Sequence, residues 1–377
     1  MSLTATARED LRLQAFANAS NYNTMERGDL PETKARPNIF KNTLLALLIM
    51  LIALVLLIYI GVPLSINLST TVRRQILFLS FLTSSEGLSD PESFGLNCSR
   101  NFFTTSDPGV RIASWYMQSQ DMPCFADKEW FPGNSSTVLY LHGITRTRSA
   151  RNRLELMQKM AGRVKTHVVA IDYRGFGDST NETPSLSGVV NDSLAAYKRL
   201  RNIMPNSKII IWGHSLGTSV TMYLARKLHE QDDDPAAIIL EAALDSVGNV
   251  IVHNRLSKPF KWIPWFDEIF VKPFENDPAV DFNSTAQASS LNPKVPMLML
   301  HAEDDQTIPF ENGFSLYETI RDARKGVENA APVTFVPFRA AHGFGHSSIV
   351  FYGKLSDLVL GFLGSNPVGP SEVLPEI

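Results

Sequence analysis

Cysteine is scarce in this chain of 377 residues: there are two, Cys98 and Cys124, with no C-x-x-C pair and no histidine pattern beside them. The usual zinc frameworks are thereby excluded, and no metal and no organic cofactor is expected. An excess of positive charge is also missing. The formal net charge is −3, with 35 basic and 38 acidic residues, which leaves no basic stripe for a nucleic-acid partner. One stretch lacks charge entirely, from Thr43 to Val62. As a helix it reaches roughly 30 Å, the thickness of a bilayer's hydrocarbon core. It has no polar stripe of the kind a buried core helix carries. It also starts too late, and has no small-residue cleavage site, for a cleaved secretory signal. It reads as a membrane anchor over residues 42–63. Residues 1–41 before it are polar, mixed in charge and aperiodic, which predicts a mobile tail.

Orientation rests on the flanks. Lys34, Arg36 and Lys41 lie just before the span, whereas Arg73 and Arg74 follow some way after it, and this bias places the N-terminus in the cytosol. N-x-S/T sequons begin at Asn67, Asn97, Asn134, Asn181, Asn191 and Asn283 after the span, against Asn18 alone before it. A luminal domain carries such sites, and Asn97, Asn134 and Asn283 are the ones expected to be modified. Both cysteines fall on the same side, where a disulfide persists; whether they pair is left open by the sequence. The chain reads as single-pass type II, a large domain and an appendage. Residues 64–99 form a juxtamembrane segment. Within it, Arg73-Arg74 and the apolar run Ile76 to Leu82 suit either an interfacial helix or one packed beneath the domain.

The large domain, 100–364, is organised around Gly213-His214-Ser215-Leu216-Gly217. An apolar run, Lys208 to Trp212, precedes it as a strand, and Thr218 to Leu228 follows with helical spacing. Strand, sharp turn and helix around G-x-S-x-G make a nucleophile elbow with Ser215 at its tip. An opening hairpin (Asn101–Thr105, Val110–Tyr116) is followed by alternating strands and helices. The strands are Thr137–Leu141, His167–Ile171, Lys208–Trp212, Ala236–Leu240, Pro296–Leu300 and Val333–Pro337. The helices are Ser149–Ala161, Leu186–Ile203, the elbow helix and Ser347–Leu363. This builds a mostly parallel sheet with helices on both faces. The 365–377 tail, rich in Pro, Gly and Ser, should be disordered.

The order of landmarks is that of the α/β-hydrolase fold: His142-Gly143 after a strand, Asp172 to Ser179, the nucleophile, an acidic turn, then histidine. The runs L-Y-L-H-G, D-Y-R-G-F-G-D-S, I-W-G-H-S-L-G-T, L-H-A-E-D-D-Q-T-I-P-F and F-V-P-F carry a closer likeness. The chain resembles, from about residue 57 to 363, the membrane-anchored lysophosphatidylserine and monoacylglycerol lipases of the α/β-hydrolase-domain group. In that family the catalytic domain is luminal in the endoplasmic reticulum. The resemblance implies Ser215 as nucleophile, His346 rather than His342 as base, and Asp305 rather than Asp304 as the acid. The last choice follows from the H-x-x-x-D-x-x-x-P turn His301, Asp305, Pro309. The oxyanion hole would be the amides of Leu216 and Ile144. Here the sequence departs from the family, whose members often carry small residues after His-Gly, whereas this chain has Ile144-Thr145-Arg146-Thr147-Arg148.

An insertion from about 246 to 291 falls where the fold builds its lid. Trp262, Trp265 and Phe266 in it are expected to meet acyl chain or bilayer, or to form the lid's own small core. The implied activity is hydrolysis of lysophospholipid or monoacylglycerol esters, with lipid and membrane as partners; protein partners are not legible. A thioesterase using the same triad and a catalytically silent binding protein are the alternatives. Head group and chain length are not written in the sequence.

Overall fold

The computed structural model describes residues 39–124, 136–364 and 372–373, in two compact units, Met1–Ile58 and Tyr59–Ile377. In the first, helix α1 (Ile39–Leu56) holds a single charged residue, Lys41. Its large apolar side chains stand 45–77% exposed. A helix that is apolar all round has no face to turn to water and is suited to lipid. Among the described residues, Phe40–Leu68 is the one helical stretch long and apolar enough to cross a membrane.

The second unit is built on a nine-stranded sheet. Its strands are β1 (Ser99–Thr105), β2 (Arg111–Met117), β3 (Thr137–Leu141), β4 (His167–Asp172), β5 (Ile209–His214), β6 (Ala237–Glu241), β7 (Met297–Ala302), β8 (Val333–Phe338) and β9 (Glu372–Val373). They lie in the order β1-β2-β4-β3-β5-β6-β7-β8-β9. β1 with β2 and β2 with β4 are antiparallel, and all other pairs are parallel. The central strands are buried along their whole length. This explains why they read as unbroken apolar runs rather than alternating ones. The period of two survives in where the side chains go. Leu139, Leu141, Ile209 and Ile211 join one core layer, whereas Val138, Tyr140, Ile210 and Trp212 join the layer on the opposite face.

The helices of seven residues or more are α2 (Val62–Leu68), α3 (Thr70–Phe78), α4 (Arg151–Lys159), α5 (Leu186–Ile203), α6 (Leu216–His229), α7 (Val247–His253), α8 (Phe310–Ala323) and α9 (Leu355–Gly364). Strand and helix positions follow the sequence pattern closely, with four differences. Helix α7, inside the insertion, is not assigned in the sequence reading. Helix α8 buries Asn312, Gly313, Leu316, Tyr317 and Ile320 at helical spacing but is absent from the sequence reading. The final helix starts at Leu355, not Ser347: a short 3-10 turn, Ile349–Phe351, precedes it, with Gly353 between them. The tail expected to be disordered contributes β9, paired in parallel with Thr334 and Phe335; the rest of that tail and all of 1–38 lie outside the described residues. Cys98 and Cys124 are disulfide-bonded, with Cα atoms 5.4 Å apart, within the range the bond requires.

The juxtamembrane segment is packed beneath the domain. Arg73 on α3 is buried and donates from Nε to Asp277 Oδ2 at 2.7 Å, and from Nη1 to the Ile66 carbonyl. Arg74 Nε donates to the Pro184 carbonyl at 2.6 Å. Phe78 is buried against Phe282, ring centroids 5.9 Å apart. Ile76, Phe81 and Leu82 on the same segment stay exposed.

Candidate active site

β5 ends at His214, and α6 begins at Leu216. Ser215 between them has φ 55° and ψ −125°, a backbone that L side chains rarely adopt and that is held here by its surroundings. Its N–H donates to the Glu241 carbonyl at 2.9 Å, and its carbonyl accepts from the Thr218 hydroxyl at 2.6 Å. Two glycines let the turn close. A Cβ on Gly217 would collide with the Leu141 carbonyl, and one on Gly143 would sit 2.8 Å from the Ser215 Cβ.

His346 brings the three sequence-selected residues together. Its Nε2 lies 2.8 Å from Ser215 Oγ, and its Nδ1 lies 2.7 Å from Asp305 Oδ2. The other Asp305 oxygen accepts the amides of Thr307 and Ile308 at 2.8 and 2.9 Å. Burial alone would push the Asp305 carboxyl up; the hydrogen bond and charge of His346, with that of His301, outweigh it, and the net shift is below the ordinary value. An ionised Asp305 can only accept, so Nδ1 carries the proton and Nε2 is free to take one from Ser215. His342 is exposed. Asp304 accepts the Gly345 amide at 2.9 Å and so holds the loop that bears His346.

Three more histidines surround this chain. His214 donates from Nε2 to the His346 carbonyl at 2.9 Å. Its burial, then the charge of His346, push its pKa down to about 3. His142 is pushed well below the ordinary value, mainly by burial. His301, with Nε2 3.0 Å from the Ile308 carbonyl, is lowered by burial as well. All three are neutral packing groups, which leaves His346 as the one imidazole aimed at the serine. Glu241 shows the converse: burial raises its carboxyl to about 7, against the Trp212 indole donating at 3.0 Å.

The Leu216 and Ile144 residues both face the cavity beside Ser215, and among the described residues neither amide donates to a protein acceptor. The loop carrying Ile144 is strained, with Thr145 at φ 60° and Arg146 at φ 55°. Two buried arginines brace it. Arg153 donates to the carbonyls of Thr147 and Thr145 at 2.7 and 2.9 Å. Arg148, entirely buried, bonds Asp172 through both its backbone N–H and its guanidinium, and Asp178 at 2.7 Å. The departure from small residues after His-Gly is therefore a different way of fixing that loop. Asp172 and Asp178 are its anchors, and Arg174 ties the same stretch to Asp192 at 2.7 Å.

The cavity at Ser215 measures about 160 Å³. Its walls are Ile76 and Leu77 from α3, Leu244, Val247, Val250 and Ile251 at the start of the insertion, and Phe274 and Ile308. Asn254 and Thr307 supply polar groups at one side. Trp262, Trp265 and Phe266 line no part of it. Phe266 packs against buried Phe270, centroids 5.2 Å apart, while the two tryptophans are exposed. The aromatics of the insertion thus divide between a small core and a surface. Of the sequons, Asn97 is exposed. Asn283 is half-buried, its side-chain oxygen accepting from the Ala286 amide at 3.0 Å. Asn134 lies outside the described residues. The Asn67 amide is occupied by the Ile269 carbonyl at 2.9 Å.

Strand order, elbow and hydrogen-bonded Ser-His-Asp set define a serine hydrolase of the α/β-hydrolase fold. A family profile, Serine aminopeptidase S33, matches residues 133–274. The chain is 31% identical over 316 residues to lysophosphatidylserine lipase ABHD12 of Danio rerio, covering 81% of each. It is 32% identical over 271 residues to Protein ABHD12B of Homo sapiens, covering 70% of this chain and 72% of that one. It belongs to the ABHD12 family. Among solved structures, an α/β hydrolase of Vibrio vulnificus aligns with TM-score 0.57 at 17% identity over 78% of this chain and 92% of that one. The Pyrococcus furiosus esterase Pf2001 aligns at 0.52 and 20% identity, over 73% and 92%; both attest the fold alone.

Proposed function

We propose that this protein hydrolyses the acyl ester of single-chain lipids, lysophospholipids of the lysophosphatidylserine type and monoacylglycerols, through an acyl-enzyme on Ser215. The observation that carries this reading is the apolar cavity that opens directly at Ser215 Oγ. Each methylene placed there contributes ~0.8 kcal/mol, and a second acyl chain would find no equivalent room. Ser215 attacks the ester carbonyl as its proton passes to His346 Nε2. Asp305 holds the Nδ1–H tautomer and stabilises the imidazolium. The amides of Leu216, at the positive end of α6, and Ile144 take the oxyanion. His346 then gives its proton to the leaving alcohol, and a water attacks the acyl-enzyme with His346 again as base.

We place the N-terminus in the cytosol and the catalytic unit in the lumen of the endoplasmic reticulum. The sequon distribution and the Cys98–Cys124 bond support an oxidising compartment. Purified protein should label with a fluorophosphonate, Ser215→Ala should not, and long single-chain esters should be turned over at least about tenfold faster than diacyl phospholipids. Equal turnover of both classes, or preference for an acyl thioester, would overturn the substrate assignment.

A further inference from the structure

The segment Arg255–Phe266 contributes no side chain to the triad or to the cavity wall, yet it has an unusual surface. Arg255, Lys258 and Lys261 are all exposed, and no acidic residue stands among them. Among the described residues none of the three meets a carboxylate; Arg255 donates to the Gln306 amide oxygen. Interleaved with them, Leu256, Trp262 and Trp265 are 82, 70 and 77% exposed. Two indoles and a leucine exposed within one short segment present apolar surface that water does not favour, and basic residues interleaved with them in sequence give the pattern of a segment lying in a lipid headgroup layer.

Its position says what covers it. At one end the Tyr59 ring packs on Phe260 and Trp262, centroids 5.5 and 5.6 Å apart, and Tyr59 belongs to the last turn of the uncharged run Thr43–Val62. At the other end Asn254 donates to the Thr307 carbonyl at 3.1 Å, and both residues border the cavity at Ser215. The segment therefore runs from the end of an apolar membrane-length sequence to the mouth of the active site.

We propose that Arg255–Phe266 is a docking surface for an anionic bilayer. Leu256, Trp262 and Trp265 enter the boundary between headgroups and acyl chains, and Arg255, Lys258 and Lys261 face the phosphates and carboxylates of anionic lipids. Docking there brings the cavity mouth to the layer in which an acyl chain already lies. The binding itself does not depend on which lipid ester is the substrate; only its effect on turnover rests on the function proposed above.

The test uses the full chain in bilayer discs of zwitterionic lipid, with or without phosphatidylserine, and brominated acyl chains as indole quenchers. With the fifth tryptophan, Trp130, replaced by Phe in every protein compared, Trp115 and Trp212, both fully buried, supply an unquenched reference. Quenching should be strong in the native protein, should increase with phosphatidylserine, and should be lost in the Trp262→Phe/Trp265→Phe double variant. In Arg255→Gln/Lys258→Gln/Lys261→Gln the phosphatidylserine increment should vanish. The apparent KM for a long-chain ester in anionic discs should rise about tenfold, with turnover of a short soluble ester kept. Equal quenching in native and double-variant protein, or an equal response to phosphatidylserine in native and charge-variant protein, overturns the proposal. Should the charge variant also lose short-ester turnover, the quenching comparison between native and Trp variants decides alone. Quenching that behaves as expected in a protein inactive on lysophospholipid would sink the substrate reading and leave the docking surface standing.

Discussion

Arg153 Nη2 donates to the Thr145 carbonyl oxygen at 2.9 Å. That bond, with its neighbour to the Thr147 carbonyl, fixes a loop whose backbone is otherwise unfavourable at Thr145 and Arg146. Arg153 thus acts as a positioning residue for the Ile144 amide. Arg153→Leu should lower kcat on a soluble ester by about 10²–10³, the usual loss for one oxyanion donor, with KM little changed. Arg153→Lys, which can still reach one carbonyl, should recover part of the loss. A fall in thermal stability with kcat per folded molecule unchanged would show a purely structural residue.

The paired aspartates separate by what they accept. Asp305→Asn removes the charge that holds the His346 tautomer and should cost about 10⁴ in kcat. Asp304→Asn should cost only a few-fold, because an amide oxygen can still accept the Gly345 N–H. Asp304→Ala, which leaves that amide without its acceptor beside His346, should fall between them. His342→Ala should be close to wild type. Steady-state rates on one ester rank all four, and a dead His342→Ala would reassign the base.

His214 sets an acid limb for stability. Its folded pKa of about 3 lies below the ordinary ~6.5 of an unfolded histidine. The unfolded state therefore binds the extra proton, and stability is lost as pH falls from about 6.5 toward 3. His214→Asn lacks this proton uptake. Between pH 6 and 5 the stability difference, wild type minus variant, should move against wild type by about 1.2 kcal/mol. Chemical denaturation at the two pH values measures it; an unchanged difference would mean that His214 titrates normally in the folded protein.

The disulfide closes a sequence separation of 26. Cys98→Ser should cost about 2–4 kcal/mol by loosening the unfolded chain, and should expose one thiol, Cys124, to alkylation. Two free thiols in unreduced wild-type protein would refute the bond.

Ser215 was legible from the glycines of its elbow and the strand and helix around it, whereas Asp305 over Asp304 and His346 over His342 came from the resemblance to the lipase family. Helix α8 was not legible. Its buried residues include Asn312 and Gly313, which face inward because of distant partners. Asn312 donates to Asp245 at 2.7 Å, and Gly313 lies where any Cβ would strike the His301 ring. Leu316, Tyr317 and Ile320 do recur at helical spacing, but with Asn312 and Gly313 on the same face the apolar stripe starts only in the second turn. Arg148 and Arg153 escaped for a related reason. A charged residue reads as surface until its partners are known: those of Arg148, Asp172 and Asp178, lie far along the chain, and those of Arg153 are backbone carbonyls that no side-chain pattern shows. Trp262, Trp265 and Phe266 stand out in the insertion by composition, but composition does not tell Phe274, at the cavity, from Trp265, at the surface.

Ile76 and Leu77 form one wall of the cavity at Ser215, and they stand on a helix fastened by Arg73 to Asp277. The stretch Ser84–Gly87 beyond it is exposed, and a protease cutting there would sever the hydrolase fold from everything before it. What came away would keep its nucleophile, base and acid. Once α3 parted from Asp277, however, the fragment would lack one side of the surface that grips an acyl chain. For a cut at Ser84–Gly87, shedding and loss of substrate fit would then be the same event.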